Sequence, residues 1–277
     1  MISEFIAESI IRRALEEDIM FGDITTDSII DEFAFTEANL IAKQEGTIAG
    51  IGITEKVFKI LDESSFFMSN IKDGDQVKPD QVIAVIKGRT RALLKAERTA
   101  LNILQRLSGI ATKTKCFCDK IDKYQTRIVD TRKTTPGLRL FEKYAVKVGG
   151  GENHRFSLSD GVLIKDNHIK AAGGISNAIL LAKKSVPHTI KIEVETESME
   201  QVKEAIEAKA DIIMLDNMSI EQMKKAVDFI NKRALVEASG NMNLNTIADV
   251  AATGVDLISV GAITHSATSL DISMRIY

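Results

Sequence analysis

From Thr126 onward the chain alternates between two hydrophobic patterns. Six short runs, TRIVDT, GVLIKD, TIKIEVE, DIIMLD, ALVEASG and DLISVGA, are rich in Ile, Val and Leu. Each is followed by a stretch with helical spacing or by a shorter connection. Apolar runs of this length alternating with helices predict parallel strands buried on both faces. Several such units in series predict a barrel of the (β/α) kind, open or incomplete because fewer than eight clear strands are present.

The first third follows another pattern. MISEFIAESIIRRALEEDI interrupts its apolar residues with acids and arginines, which predicts an amphipathic helix and lacks a secretory core. FGDITTDSI reads as irregular, while ANLIAKQEGTIAGI and DQVIAVIKG, bounded by Gly and Asp, read as half-buried strands. The phrase DGDQVKPDQVIAVIKG has the turn chemistry of biotinyl and lipoyl carrier sheets, but no lysine stands at a hairpin tip in the right surroundings, so a structural sheet is expected. ERTALNILQRLSGIATKTKCFCDKI is a long helical pattern that joins the two regimes.

With 277 residues, 44% hydrophobic and 27% charged, the chain is long enough for one large domain or two unequal ones. A net charge of −3 leaves no basic surplus for a nucleic-acid backbone. No apolar run approaches a membrane span. Cys116 and Cys118 stand two apart in a helical pattern and face different ways, which suits neither a disulfide nor a metal site. A cytoplasmic protein with reduced thiols and no membrane partner is expected.

Against that acidic balance, Asp130–Lys170 gathers Arg132, Lys133, Arg139, Lys143, Lys147, His154, Arg155 and Lys165. A solvated helix face would interleave such cations with acids at i,i+4, whereas several of these end apolar runs or adjoin glycines. A cleft for a small polyanion explains them better. The predicted strands also end in polar groups: Thr131, Arg132 and Lys133; Lys165, Asp166, Asn167 and His168; Glu193 and Glu195; Asp216 and Asn217; Glu237, Ser239, Gly240 and Asn241; Gly261 and Ala262. In a parallel barrel these ends converge on one mouth. The small residues Ser239-Gly240-Asn241 and Val260-Gly261-Ala262 suit a phosphate seat. Glu195 and Asp216, on neighbouring strands, suit acid and base work, Mg²⁺ or sugar hydroxyls. Cations beyond those one phosphate needs suggest a diphosphate and a dicarboxylate.

TRKTTPGLR, KYAVKVGGGENHR and LIKDNHI, followed by IEVET, MLDN, EASGN and SVGAITHS, resemble the quinolinate phosphoribosyltransferases, also called carboxylating nicotinate-nucleotide pyrophosphorylases. The resemblance extends to EDIMFGDITTDSI and ERTALNILQRLSGIAT, and so covers nearly the whole chain. It implies an N-terminal α/β sandwich over residues 1–107, an incomplete, TIM-like α/β barrel over 108–267, and a tail, 268–277, that returns to the first domain. It implies a homodimer that converts quinolinate and phosphoribosyl pyrophosphate to nicotinate mononucleotide, pyrophosphate and CO₂ in NAD biosynthesis, with Mg²⁺ and no organic cofactor. By resemblance, Arg132, His154, Arg155 and Lys165 hold the quinolinate carboxylates, with Arg98 from the neighbouring subunit. Lys133 meets the phosphoribosyl substrate on its diphosphate side, and Thr134 is a further substrate-binding position. Glu195 and Asp216 bind ribose hydroxyls and metal, and Ser239 to Asn241 with Val260 to Ala262 seat the 5′-phosphate. Lys133, Lys165, Glu195 and Asp216 carry the catalytic roles. Asn241 departs from the family's pattern, standing where many members have a second glycine. The competing reading is a paralogue of the same fold acting on another acceptor, such as the molybdenum-transport-associated relatives, which would need fewer cations.

Overall fold

A computed structural model describes residues 4–277. Contacts within the chain separate two compact units. One comprises the chain up to Lys115 with Thr134–Gly150 and Thr264–Tyr277, and the other Cys116–Lys133 with Gly151–Ile263. In chain order the first elements are α1 (Glu4–Ile19), α2 (Ile24–Ile29), β1 (Phe35–Ala42), β2 (Gly46–Thr47), α3 (Ile51–Leu61), β3 (Phe66–Met68), β4 (Gln76–Val77), β5 (Val82–Arg89) and α4 (Thr90–Lys120). Next come β6 (Arg127–Val129), α5 (Arg139–Val148), β7 (Val162–Ile164), α6 (Asp166–Ala172), α7 (Ile175–Ser185), β8 (Ile192–Thr196), α8 (Met199–Glu207) and β9 (Ile212–Asp216). The chain closes with α9 (Ile220–Ile230), β10 (Leu235–Ser239), α10 (Ile247–Ala251), β11 (Leu257–Ser259), α11 (Ala262–His265) and β12 (Ile272–Ile276).

The first unit is built on an antiparallel sheet in the order β12-β1-β5-β3. The C-terminal strand pairs with β1 from Ala38 opposite Ile276 to Ala42 opposite Ile272. Helix α1 buries the stripe Ala7, Ile11 and Leu15, the i, i+4 spacing that its apolar pattern required. The segment expected to be irregular, FGDITTDSI, forms α2 instead. Two adjacent threonines lower its helix propensity, but the Asp23 side chain accepts from the Thr26 N–H at 3.0 Å and caps the turn. Gly109, in the middle of α4, marks a close approach: a Cβ there would stand 2.0 Å from the Thr268 carbonyl oxygen. Cys116 and Cys118, on α4, are both free thiols.

Arg106 on α4 meets a fully buried carboxylate, Glu142 on α5. Its Nε and Nη2 donate to Glu142 Oε1 at 3.0 and 2.8 Å. The Thr135 N–H and hydroxyl donate to the same carboxylate at 3.1 and 2.8 Å. Arg106 also donates to the Thr264 and Ala267 carbonyls, tying the C-terminal segment to α4.

The second unit carries a six-stranded parallel sheet in the order β6-β11-β10-β9-β8-β7. All six apolar runs became strands. The edges β6 and β7 are not joined, so the barrel is open. A single bridge between Val129 and Glu152 extends the β6 edge. Alternate residues face opposite ways: Val194, Ile213, Leu215, Val236, Ala238 and Ile258 are buried apolar positions, and their neighbours Glu193, Glu195, Met214, Glu237 and Ser239 face the interior cavities. Ser198 caps α8, and Ser219 with Gln222 forms a capping box on α9. These caps start each helix directly after its strand and fix where the strand ends stand.

Replacing Arg106 by alanine would strand a buried charge, because Glu142 would keep only its threonine donors. Arg106→Ala is expected to cost about 3–5 kcal/mol of stability, measured by urea unfolding. A loss under about 1 kcal/mol would mean that water replaces the guanidinium.

Candidate active site

A cavity of about 330 Å³ opens at the C-terminal ends of the parallel strands. Arg132 and Lys133 reach it from the turn after β6, Lys165 from the end of β7, Glu195 from β8 and Ser239 from β10. His154 and Arg155 enter from the loop after the Glu152 bridge. Seven residues expected from the sequence therefore line one void, together with Thr131, Leu163, Met214, Glu237 and Ser259.

The loop is positioned by Asp130, a fully buried carboxylate just past β6. Its oxygens accept the His154 N–H at 2.9 Å and the Asn153 side-chain amide at 2.6 Å. The Asp130 N–H donates to the Glu152 carbonyl, and the Glu152 N–H to that of Ile128. Arg155 donates to the Gly161 carbonyl at 3.0 Å. Its proton affinity is lowered, first by burial and then by the like charge of Arg132, with Glu193, Asp160 and Glu195 opposing. Two guanidinium groups held near each other in a desolvated wall favour an anion between them.

Opposite stand the carboxylates. Glu195, partly buried, is hydrogen-bonded and ion-paired with Lys165. Asp216 closes β9 two residues beyond Met214 on the same face and accepts from the Asn217 side chain at 2.9 Å. Beneath the mouth lies a second acidic layer. His154 Nε2 is 2.9 Å from Glu193 Oε2 and 3.6 Å from Glu237 Oε2. The Arg155 N–H donates to His154 Nδ1 at 2.8 Å, so that nitrogen is an acceptor, the ring is neutral, and its proton sits on Nε2, donated to Glu193. His154, Glu193 and Glu237 offer ligand atoms within 4.8 Å of one another, the spacing of a metal centre. With both ring nitrogens occupied, the imidazole has no lone pair to give an ion, and the trio reads as a proton-holding cluster. Burial, and then the charge of Glu193, push the Glu237 carboxyl from the ordinary 4.5 to about 8.

The glycine turn has a steric origin. Gly240 has φ +99°, and a Cβ there would fall 2.2 Å from Asn217 Oδ1. Asn241 follows at φ 47°, a left-handed conformation that Asn tolerates. The second small-residue turn, Val260-Gly261-Ala262, leads into α11, with the Val260 N–H donating to the Val129 carbonyl.

Not every expected residue lines the void. Asp216, Gly240, Asn241, Val260, Gly261 and Ala262 stand at strand ends of this unit but are not among the residues lining it. Arg98, exposed on α4, and Thr134, which accepts from Arg139 Nε at 2.9 Å, belong to the other unit. Of the eight cations counted together, Arg139, Lys143 and Lys147 lie there too, on α5. Sequence proximity alone had joined them to the cluster. In the other direction, Glu237 was visible as a strand-end acid but was given no site role. Its signal was the two-residue spacing to Ser239, which places both on one face.

Family models for the quinolinate phosphoribosyl transferase N-terminal and C-terminal domains match residues 23–108 and 110–275. A Bacillus subtilis protein named "Probable nicotinate-nucleotide pyrophosphorylase [carboxylating]" is 47% identical over 94% of this chain and 90% of its own length. "Quinolinate phosphoribosyltransferase [decarboxylating] 1b" of Nicotiana tabacum is 41% identical, covering 97% of this chain and 82% of that protein. The crystal structure of NadC from Streptococcus pyogenes superposes with a TM-score of 0.97 at 42% identity, covering 100% of this chain and 98% of that one.

The raised Glu237 carboxyl sets a sign for stability against pH. Between about 4.5 and about 8 the folded chain holds a proton that the unfolded chain has released, so this group's contribution falls as pH rises through that window. Glu237→Gln lacks this dependence. The melting temperature of the variant relative to the parent should therefore rise between about pH 5 and about pH 9. A constant difference would mean that the carboxyl titrates normally.

Proposed function

The chain belongs to the quinolinate phosphoribosyltransferase family, and from that premise we infer how its cavity divides the work of the reaction. The protein is a pentosyltransferase. It moves the phosphoribosyl group from phosphoribosyl pyrophosphate to the ring nitrogen of quinolinate and releases CO₂, yielding nicotinate mononucleotide and pyrophosphate for NAD biosynthesis.

The observation that carries the assignment of the site is one void lined by both guanidinium and ammonium groups, Arg132, Lys133, Arg155 and Lys165, and carboxyl groups, Glu195 and Glu237. Arg132 and Arg155, two forks in a desolvated wall, take the vicinal carboxylates of quinolinate, with Lys165 and His154 beside them. Lys133, exposed at the rim, takes the diphosphate side of the second substrate. Breaking the bond from the anomeric carbon to pyrophosphate places positive charge on the ribose ring, as in glycoside chemistry. Glu195 and Asp216 stabilise that charge and accept from the ribose hydroxyls. Ser239, Gly240 and Asn241 with Val260, Gly261 and Ala262 seat the 5′-phosphate, supported by the left-handed turn at Gly240, φ +99°, packed so closely on Asn217 that only glycine fits. The accessible carboxylates of Glu195 and Asp216 are hard oxygen donors that suit Mg²⁺. When bound, Mg²⁺ supplies charge neutralisation for the departing pyrophosphate.

We place the protein in the cytoplasm as a homodimer. The free thiols support the first point, and no helix among the described residues is long and apolar enough to cross a membrane. Exposed apolar side chains in the first unit support the second: Phe21 and Phe33 are 99% and 84% exposed, with Phe5, Ile24, Ile29 and Phe35 also open. Arg98, exposed on α4, completes the partner's quinolinate site.

With Mg²⁺ and phosphoribosyl pyrophosphate, the chain should consume quinolinate and release CO₂, while nicotinate in its place should react far more slowly. Arg155→Ala should weaken quinolinate binding by on the order of 2–5 kcal/mol, read by calorimetric titration; unchanged affinity would remove the dicarboxylate pocket. Arg98→Ala and Lys165→Ala chains, each inactive alone, should recover part of the activity when mixed. Absence of recovery in verified mixed dimers would end the shared-site reading.

A further inference from the structure

The roles assigned above leave one interior group unused. Glu237 lies on β10 two residues before Ser239, so it faces the interior one layer below the mouth. The mouth cavity shares His154, Arg155 and Glu237 with a second cavity of about 240 Å³. That second cavity is lined by the opening residues of the strands, Arg127, Val162, Ile212 and Leu257, with Glu152, Asp160 and Lys191 among them. Glu237 therefore stands where a void from the catalytic face meets a void from the opposite face.

Decarboxylation creates a demand for a proton at that depth. When the bond between ring carbon 2 and its carboxylate breaks, the electron pair stays on carbon 2, stabilised by the adjacent alkylated nitrogen. The product carries hydrogen there, so one proton must arrive per turnover. Lys165 is paired with Glu195, and the His154 proton is donated to Glu193. Resting on the quinolinate reading, we propose that Glu237 is the acid that protonates carbon 2 as CO₂ departs. CO₂ leaves without the bonding pair, the pair takes the Glu237 proton, and the resulting carboxylate is reprotonated from solvent through the cavity at the other strand ends.

The surroundings keep this carboxyl protonated at neutral pH. Met214 of β9 and Leu257 of β11 flank it in register. Glu193 and Glu195 of β8 face it with negative charge, which favours the neutral acid. The His154 Nε2–H, 3.6 Å away, and the Ser259 hydroxyl favour the ionised form and are outweighed by burial. A neutral buried carboxyl of this kind donates a proton at neutral pH and is lost as a donor once it ionises, near 8. The same cavity thus carries a charged upper layer for binding and a neutral acid below it.

The test compares the parent, Glu237→Gln and Glu237→Asp with quinolinate, phosphoribosyl pyrophosphate and Mg²⁺ across pH, in H₂O and D₂O. For the parent, kcat should fall as pH rises through about 8 and show a solvent isotope effect. Glu237→Gln, which removes the proton but keeps the shape, should lower kcat by about 100-fold and leave both KM values within about threefold, without the alkaline limb. Glu237→Asp should recover part of kcat, which a purely structural role would not predict. Glu237→Gln turning over within about threefold of an active parent, or keeping the same alkaline limb, would overturn the proposal alone. A parent that leaves quinolinate unconverted would overturn the quinolinate reading and this proposal with it.

Discussion

Asp130 is the interaction from which the chemistry of the cavity follows. A carboxylate with no solvent contact must be satisfied by donors, and here the donors are the His154 backbone and the Asn153 amide. That requirement pins the loop after the Glu152 bridge to the edge of an open parallel sheet. Once the loop is pinned, Arg155 points beside Arg132, and the same residue's N–H settles the tautomer of His154. A loop fixed only by its exposed turn around Asp160 would leave all three side chains free to choose other rotamers.

The strands contribute the other half of the arrangement. Parallel strands send alternate side chains to one side, so Glu193 and Glu195 enter the interior together, as do Glu237 and Ser239. Acids at two depths meet different conditions. Near the mouth, Glu195 is ion-paired with Lys165. Deeper, Glu237 is buried against the His154 imidazole, the Glu193 carboxylate, the Ser259 hydroxyl and apolar neighbours, and it keeps its proton. One kind of side chain, on β8 and on β10, therefore meets two chemical environments, according to the dielectric and the charge around each. Cations and carboxylates thus share the mouth, and a proton is held beneath them.

Local signals carried much of this through the sequence. Six apolar runs spaced by helices specify parallel strands because buried strands need Ile, Val and Leu on both faces, and all six formed. Arg132, Lys133, Lys165, Glu195 and Ser239 were legible as site residues because they end those runs, and Arg155 because it belongs to a local excess of cations. The α2 helix was not legible: its stability comes from one side-chain cap that outweighs two β-branched residues. Nor was the separation of Arg139, Lys143 and Lys147 from the cavity, since neighbours in a chain share a charge count without sharing a surface.

What the sequence determined by itself was the period of each segment and the chemistry available at each strand end. Both depend on residues close together along the chain. The tertiary structure decided which of those groups share a void, the proton position on His154 and the ionisation of Glu237. These depend on distances of a few ångströms between residues such as Asp130 and Asn153, or Glu193 and Glu237, far apart in the chain. Coulombic and desolvation energies at such distances have no counterpart in a linear pattern.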